Sequence, residues 1–335
     1  MTSLATSVDQ VAESTGFSGV VRVDVGDEVV LERAYGLADR ARGIPMAPDT
    51  RIGVASGGKT FTALAVLRLV EEGALSLDTR ARDLLGADLP LIDDGVTVEH
   101  LLSHRSGIGD YLDEDEIEDG TDYLMAVPVH RLDSAGSYLE VLDGYPQRFP
   151  PGTGFVYCNG AYCVLAILAE RASGTTYHDL VRTQVLQRAG LTRTDFLRSD
   201  ELPGDAAWGY LRTDGLRTNV LHLPVVGGGD GGIFTTAGDV AALWAALDAG
   251  RVVSCETYTD MVRPRSEAQA DGRTYGLGFW LRDDWVSASG YDAGASFRSM
   301  HRPGLTWSVL SNTTEGTWAM APPLEELLVG NEAAR

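Results

Sequence analysis

Apolar and polar positions along this chain change their period twice. Ser18 to Val25 (SGVVRVDV) and Val29 to Tyr35 (VVLERAY) are β-branched runs joined through Gly26 and Asp27, the signal of a hairpin. In the middle, Phe61 to Val70 (FTALAVLRLV), Ala161 to Ala172 (AYCVLAILAERA) and Val240 to Leu247 (VAALWAAL) are dense in helix formers. Gly73 and Gly174 stand where C-terminal caps belong. Strand-like runs return at Tyr275 to Arg282, Trp285 to Ser289 and Leu305 to Ser311, and Leu324 to Glu332 predicts a closing helix. Strands from both ends sharing one antiparallel sheet, with the helical middle inserted as a second lobe, predict an α/β (α+β) domain over the whole chain. The sheet lobe would take about residues 15–60 and 265–335, the helical lobe about 61–264. No repeat or low-complexity tract appears, apart from the acidic cluster Asp113 to Asp119 (DEDEIED).

Composition narrows the functional classes. A chain of 335 residues with 44% hydrophobic content buries a large core. The N-terminal stretch has no basic start, and no run reaches the roughly 18 apolar residues of a membrane span, so a cytoplasmic location is expected. Cys158, Cys163 and Cys255 lack metal-ligand spacing and read as reduced thiols; neither metal nor cofactor is called for. A net charge of −21 argues against nucleic acid or an anionic membrane as partner. Of the 27 basic residues, 26 are arginine and one is lysine, Lys59. A lysine kept only here suggests a task that guanidinium cannot perform, such as losing a proton near neutral pH.

Lys59 lies in GVASGGKTFTAL, which reads either as a phosphate loop (Gly53, Gly58, Lys59, Thr60) or as S-x-x-K with Ser56 as nucleophile. A phosphate loop needs a buried strand before it and a later strand ending in aspartate, and neither PLIDD nor LEVLD is a clean apolar strand. S-x-x-K needs a serine at a helix N-terminus with the lysine one turn on, and the segment from Ser56 fits that. About a hundred residues later, FPPGTGFVYCNGAY places Tyr157 and Asn159 as Y-x-N on a loop entering a helix. The phenol is suited to relay a proton and the carboxamide to hold an acyl substrate or to cap the helix.

With these motifs the chain resembles the serine β-lactamase and penicillin-binding-protein superfamily, in its class C β-lactamase-like branch of D-aminopeptidases, DD-carboxypeptidases and esterases. The likeness runs from GFSGVVRVDVGDEVVLERAYGLAD through VTVEHLLSHRSGIGDY, GGDGGIFTTAGDVAALW and YGLGFWL to SVLSNT. It implies a site between the lobes, with Ser56 acylated, Lys59 the general base, Tyr157 the proton relay and Asn159 positioning substrate. Ser103, His104, Ser106 and Gly107 match a structural signature in which the histidine is a packing residue. Two departures stand out. Ser-Gly-Gly-Lys replaces Ser-x-Ser-Lys, loosening the first helical turn by up to ~1 kcal/mol per glycine. The third motif, Lys-Thr-Gly or His-x-Gly, has its best fit at Asp292, Ala293 and Gly294, which puts the Ala295 N–H beside that of Ser56 in the oxyanion hole. A register one residue earlier offers Tyr291 and Gly294 instead. The resemblance implies a serine hydrolase of an ester or amide small molecule, acting without metal or cofactor. The alternatives are a β-lactamase or DD-carboxypeptidase, or an inactive binding or sensory protein of the same fold. An aspartate in place of the basic residue favours neutral or cationic substrates, with Arg298 the nearest basic residue able to restore anion binding.

Overall fold

The computed structural model describes residues 3–113, 121 and 123–332. The main sheet contains β1 (Gly19–Val25), β2 (Glu28–Tyr35), β3 (Thr274–Tyr275), β4 (Trp280–Arg282), β5 (Trp285–Asp292), β6 (Ala295–Arg302) and β7 (Leu305–Ser311). Their order is β2-β1-β7-β6-β5-β4-β3, antiparallel throughout. The strand nearest the N-terminus and the last strand are neighbours, with Val21 opposite Val309.

Each face of this sheet is buried under helices, so β1 and β7 carry apolar side chains on both faces. On one face Val21, Val23, Trp307 and Val309 pack beneath α1 (Leu4–Thr15) and the closing helix α5 (Gly316–Glu332). On the other, Val20, Phe297 and Leu310 join the large core built on α2 (Gly58–Glu71), α3 (Asn159–Ser173) and α4 (Ala237–Asp248). α2 and α3 are buried on almost every side, as their nearly unbroken apolar sequences require.

Several elements differ from the pattern of apolar positions. α1 has its own signals: the Ser3 side chain accepts from the Thr6 N–H, and Gly16 ends the helix at φ 64°. The expected strand 275–282 is split into β3 and β4, because a side chain on Gly276 would strike the Met261 carbonyl and one on Gly278 would strike the Ala63 methyl. β5 runs on to Asp292 and turns through Ala293 and Gly294 into β6, a strand that the apolar runs do not mark. α5 begins at Gly316 and continues through Pro322 and Pro323. α4, within the stretch expected to be the helical lobe, packs on β1 and β7. Of the acidic cluster, Asp113 is described and pairs with Arg148 at 3.0 Å; 114–119 lie outside the described residues. Among the described residues no helix is long and apolar enough to cross a membrane.

Candidate active site

Ser56 sits in a single 3-10 turn, Ala55–Gly57, that leads directly into α2. Ala55 is held at φ 48°, a left-handed conformation that non-glycine residues adopt only under constraint. The constraint is close packing. A Cβ on Gly231 would lie 2.7 Å from the Ala55 carbonyl oxygen, and one on Gly58 would lie 2.9 Å from the Gly231 Cα. A Cβ on Gly57 would lie 2.5 Å from the Phe297 ring. The two glycines of Ser-Gly-Gly-Lys, expected to loosen this turn, are therefore the residues that let the 227–232 loop and the sheet close on the serine.

Lys59 follows one turn later and is only 2% exposed. Its Nζ donates to Ser56 Oγ at 2.8 Å, to Asn159 Oδ1 at 2.7 Å and to the Asp230 carbonyl oxygen at 2.7 Å. The nitrogen thus meets three oxygens, and two helix N-termini, those of α2 and α3, meet at this point. Lys59 Nζ also lies 4.9 Å from the centre of the Tyr157 ring, which stacks on Trp280 at 5.9 Å. The structure thus brings Ser56, Lys59, Tyr157 and Asn159 together from two segments about a hundred residues apart in sequence. Lys59 serves a serine and two neutral oxygens, and the preceding Ile52–Gly53 pairs antiparallel with Phe234–Thr235, which is no setting for a phosphate loop.

Asn159 is the first residue of α3 rather than its cap. Its amide nitrogen donates to the Leu112 carbonyl at 3.2 Å while its oxygen receives Lys59, so the side chain holds the lysine. The cap is the Asp110 carboxylate, which accepts the Asn159 N–H at 2.5 Å and the Gly160 N–H at 2.8 Å. Burial raises the Asp110 pKa to about 6, although these backbone bonds pull it down. Sequence reasoning missed Asp110, whose signal was its place in SHRSGIGDY. His104, fully buried, accepts the Cys158 N–H on Nδ1 at 3.1 Å and lies 4.3 Å from the Tyr157 ring. Burial holds its pKa well below the usual histidine range, so it supports Tyr157 as a neutral ring. Its Nε2 has no hydrogen-bond partner, so it packs without being fully satisfied.

The third motif needs a correction. A Cβ on Gly290 would lie 2.7 Å from the Ser56 nitrogen and 2.7 Å from the Gly57 nitrogen, so Gly290 in β5 is the glycine pressed against the nucleophile. Gly294, four residues on, lies in the β5–β6 turn at φ 70°, and its N–H is taken by Thr314 Oγ1 at 2.9 Å. With Gly290 in that place, Ala288 and Ser289 fill the first two positions of the motif and Tyr291 follows it. Arg298 is a second correction: it lies on β6 over Trp307, within 3.6 Å of Glu325 on α5, and does not line the cleft. Asp292 and Ala295 do border the site, on the wall of an inner cavity.

Two spaces meet at Ser56. The inner cavity is walled largely by apolar residues, among them Leu112, Met125, Leu197, Leu223 and Phe234, and is also lined by Asp292 and by Asp230, whose carboxylate accepts the Tyr111 hydroxyl. The outer cleft is bordered by Tyr157, Arg273, Trp280, Ser289, Tyr291 and Trp318. Arg273, unmarked in the sequence reading, lies 4.4 Å over the Trp280 ring. Among the described residues no cluster of histidine, cysteine and carboxylate side chains is arranged to hold a metal.

The Beta-lactamase family model matches residues 4–329. Esterase EstB of Burkholderia gladioli is 31% identical over 318 residues, a match spanning 84% of this chain and 77% of the esterase. A D-aminopeptidase of Brucella anthropi is 31% identical over 276 residues, 80% of this chain but 49% of that protein. The crystal structure of a penicillin-binding protein from Bacillus halodurans superposes with a TM-score of 0.89 at 34% identity, covering 96% of this chain and 99% of that one.

Proposed function

The chain belongs to the beta-lactamase family of serine hydrolases, and we propose that it cleaves an ester or amide through an acyl-enzyme on Ser56. The observation that carries this reading is the 2.8 Å contact between Lys59 Nζ and Ser56 Oγ in a site closed to solvent around the lysine. Lys59, as general base, takes the hydroxyl proton as Oγ bonds to the substrate carbonyl carbon, and the carbonyl electron pair moves onto oxygen. The N–H groups of Ser56 and Tyr291 receive that oxyanion, a reading supported by Gly290 lying against the Ser56 nitrogen. When the intermediate collapses, the leaving group departs on the Tyr157 side and takes the proton held by Lys59 through the phenol. Water then repeats the sequence and frees the acid.

The acyl part of the substrate is neutral or cationic, because Asp230 and Asp292 border the inner cavity and, among the described residues, no arginine or lysine does. An anionic group 4 Å from one such carboxylate would be repelled by about 4 kcal/mol at an effective dielectric near 20. One observation favours a second reading, a carboxypeptidase: Arg273 borders the outer cleft, where it would receive a carboxylate on the leaving group. A fluorophosphonate probe followed by intact-protein mass spectrometry tests the main reading. Wild type should gain one adduct on Ser56, and Ser56→Ala none. An unlabelled wild type would leave an inactive binding protein of this fold.

A further inference from the structure

Eight buried side-chain nitrogen or oxygen atoms among the described residues have no hydrogen-bond partner. Native folds leave few such atoms, since each has given up water for nothing. Three of them belong to residues that line one space, the inner cavity beside Ser56: Tyr138 Oη, Ser199 Oγ and His222 Nδ1. Tyr138 is 2% exposed and its ring packs edge-on to Tyr111 at 6.4 Å. The phenol is also held from behind: a Cβ on Gly228 would lie 2.6 Å from its oxygen. The three atoms come from different segments and do not satisfy one another.

We propose that this cavity is the acyl subsite, and that it takes a compact apolar acyl group ending in a neutral hydroxyl or carboxamide held by Tyr138, Ser199 and His222. This rests on reading Ser56 as the acylated nucleophile. Tyr157, the relay to the leaving group, borders the outer cleft, which leaves the inner cavity to the acyl side. The walls of leucine, methionine and phenylalanine fit an aromatic or branched stem. Two hydroxyls and an imidazole nitrogen ask for an end group that both donates and accepts. A cation would be met by Asp230 and Asp292 instead, and an anion would be repelled by them.

Calorimetry on Ser56→Ala tests the subsite without needing turnover, with 3-(4-hydroxyphenyl)propanamide and 3-phenylpropanamide as probes. The hydroxylated amide should bind roughly tenfold tighter, since the phenyl analogue leaves the polar atoms unpaired. Adding Tyr138→Phe or, more gently, Ser199→Ala should close most of that gap while leaving the phenyl analogue's affinity nearly unchanged. Equal affinity for the two amides, no binding of either, or a gap that survives both substitutions would overturn the proposal. The Ser56 probe experiment keeps the two claims apart. Labelling without hydroxyl preference removes the subsite alone, and preference without labelling removes the nucleophile alone.

Discussion

Lys59 is the only lysine in the chain, and its surroundings say why arginine does not replace it. Three acceptors at 2.7–2.8 Å converge on one nitrogen from a serine, an asparagine and a main-chain carbonyl. A point donor on a flexible stem meets that geometry; a planar guanidinium does not, and with a pKa above about 12 it cannot act as a base. Lys59→Arg should therefore lower kcat for an activated ester by at least ~10²-fold, the usual cost of losing a general base. Because the site is closed, the larger side chain should also lower the melting temperature, and both effects are read on one purified sample by ester assay and thermal unfolding. Retained turnover would remove Lys59 as base. The neighbouring glycines carry a separate expectation. By helix propensity alone Gly58→Ala should stabilise α2 by ~1 kcal/mol. Its new methyl instead meets the Gly231 backbone, where overpacking costs about 1–3 kcal/mol. A net loss of stability is expected, with a fall in kcat as the loop carrying the Asp230 carbonyl shifts away from Lys59.

At the scale of elements, the site depends on how α3 begins. Asp110 caps that helix from another segment, and the N–H it holds belongs to Asn159, which in turn holds Lys59. Its folded pKa of about 6 lies above the ordinary aspartate value of 3.8. A carboxyl raised in this way contributes stability that is full below about pH 4 and lost as pH rises through about 6. Activity runs the other way, since only the carboxylate accepts both N–H groups at the helix start. The pH profile of kcat should fall below about pH 6, and Asp110→Asn should flatten that limb. A limb unmoved in the variant would assign the titration to another group. This element also shows what the sequence could reveal. α2, α3 and the β1–β2 hairpin announce themselves by period and composition, and Ser56 with Lys59 by helical spacing, because both are local properties of the chain. The cap is not local: Asp110 and Asn159 are 49 residues apart and meet only through the fold. The third motif hid for a related reason. A glycine pressed on a neighbouring backbone marks the place, and in SASGYDAGAS both Gly290 and Gly294 offered that signal. Which of them faces Ser56 is set by where β5 ends, a matter of pairing with β6 rather than of sequence within β5.

At the scale of the molecule, the net charge of −21 and the two carboxylates of the inner cavity both favour cationic substrates, but over different distances. The field of the whole surface acts on approach and is screened beyond about 10 Å at 0.1 M salt. Asp230 and Asp292 act on the bound acyl group inside a largely apolar space, where salt screens little. Discrimination between matched cationic and anionic esters should therefore split into two parts as salt rises from about 20 to 500 mM. The screened part should disappear, with kcat/KM for the cationic ester falling and that for the anionic ester rising. The part due to the cavity should persist at high salt and shrink in Asp292→Asn, which removes one charge and keeps the shape. Electrostatic repulsion of about 4 kcal/mol at 4 Å is an upper figure for that residue, equivalent to several hundred-fold in kcat/KM. Steady-state rates for the ester pair in wild type and Asp292→Asn at both salt levels decide the matter. Discrimination that vanishes entirely at 500 mM in wild type would leave the surface field as its source, and Asp292 without a part in choosing the substrate.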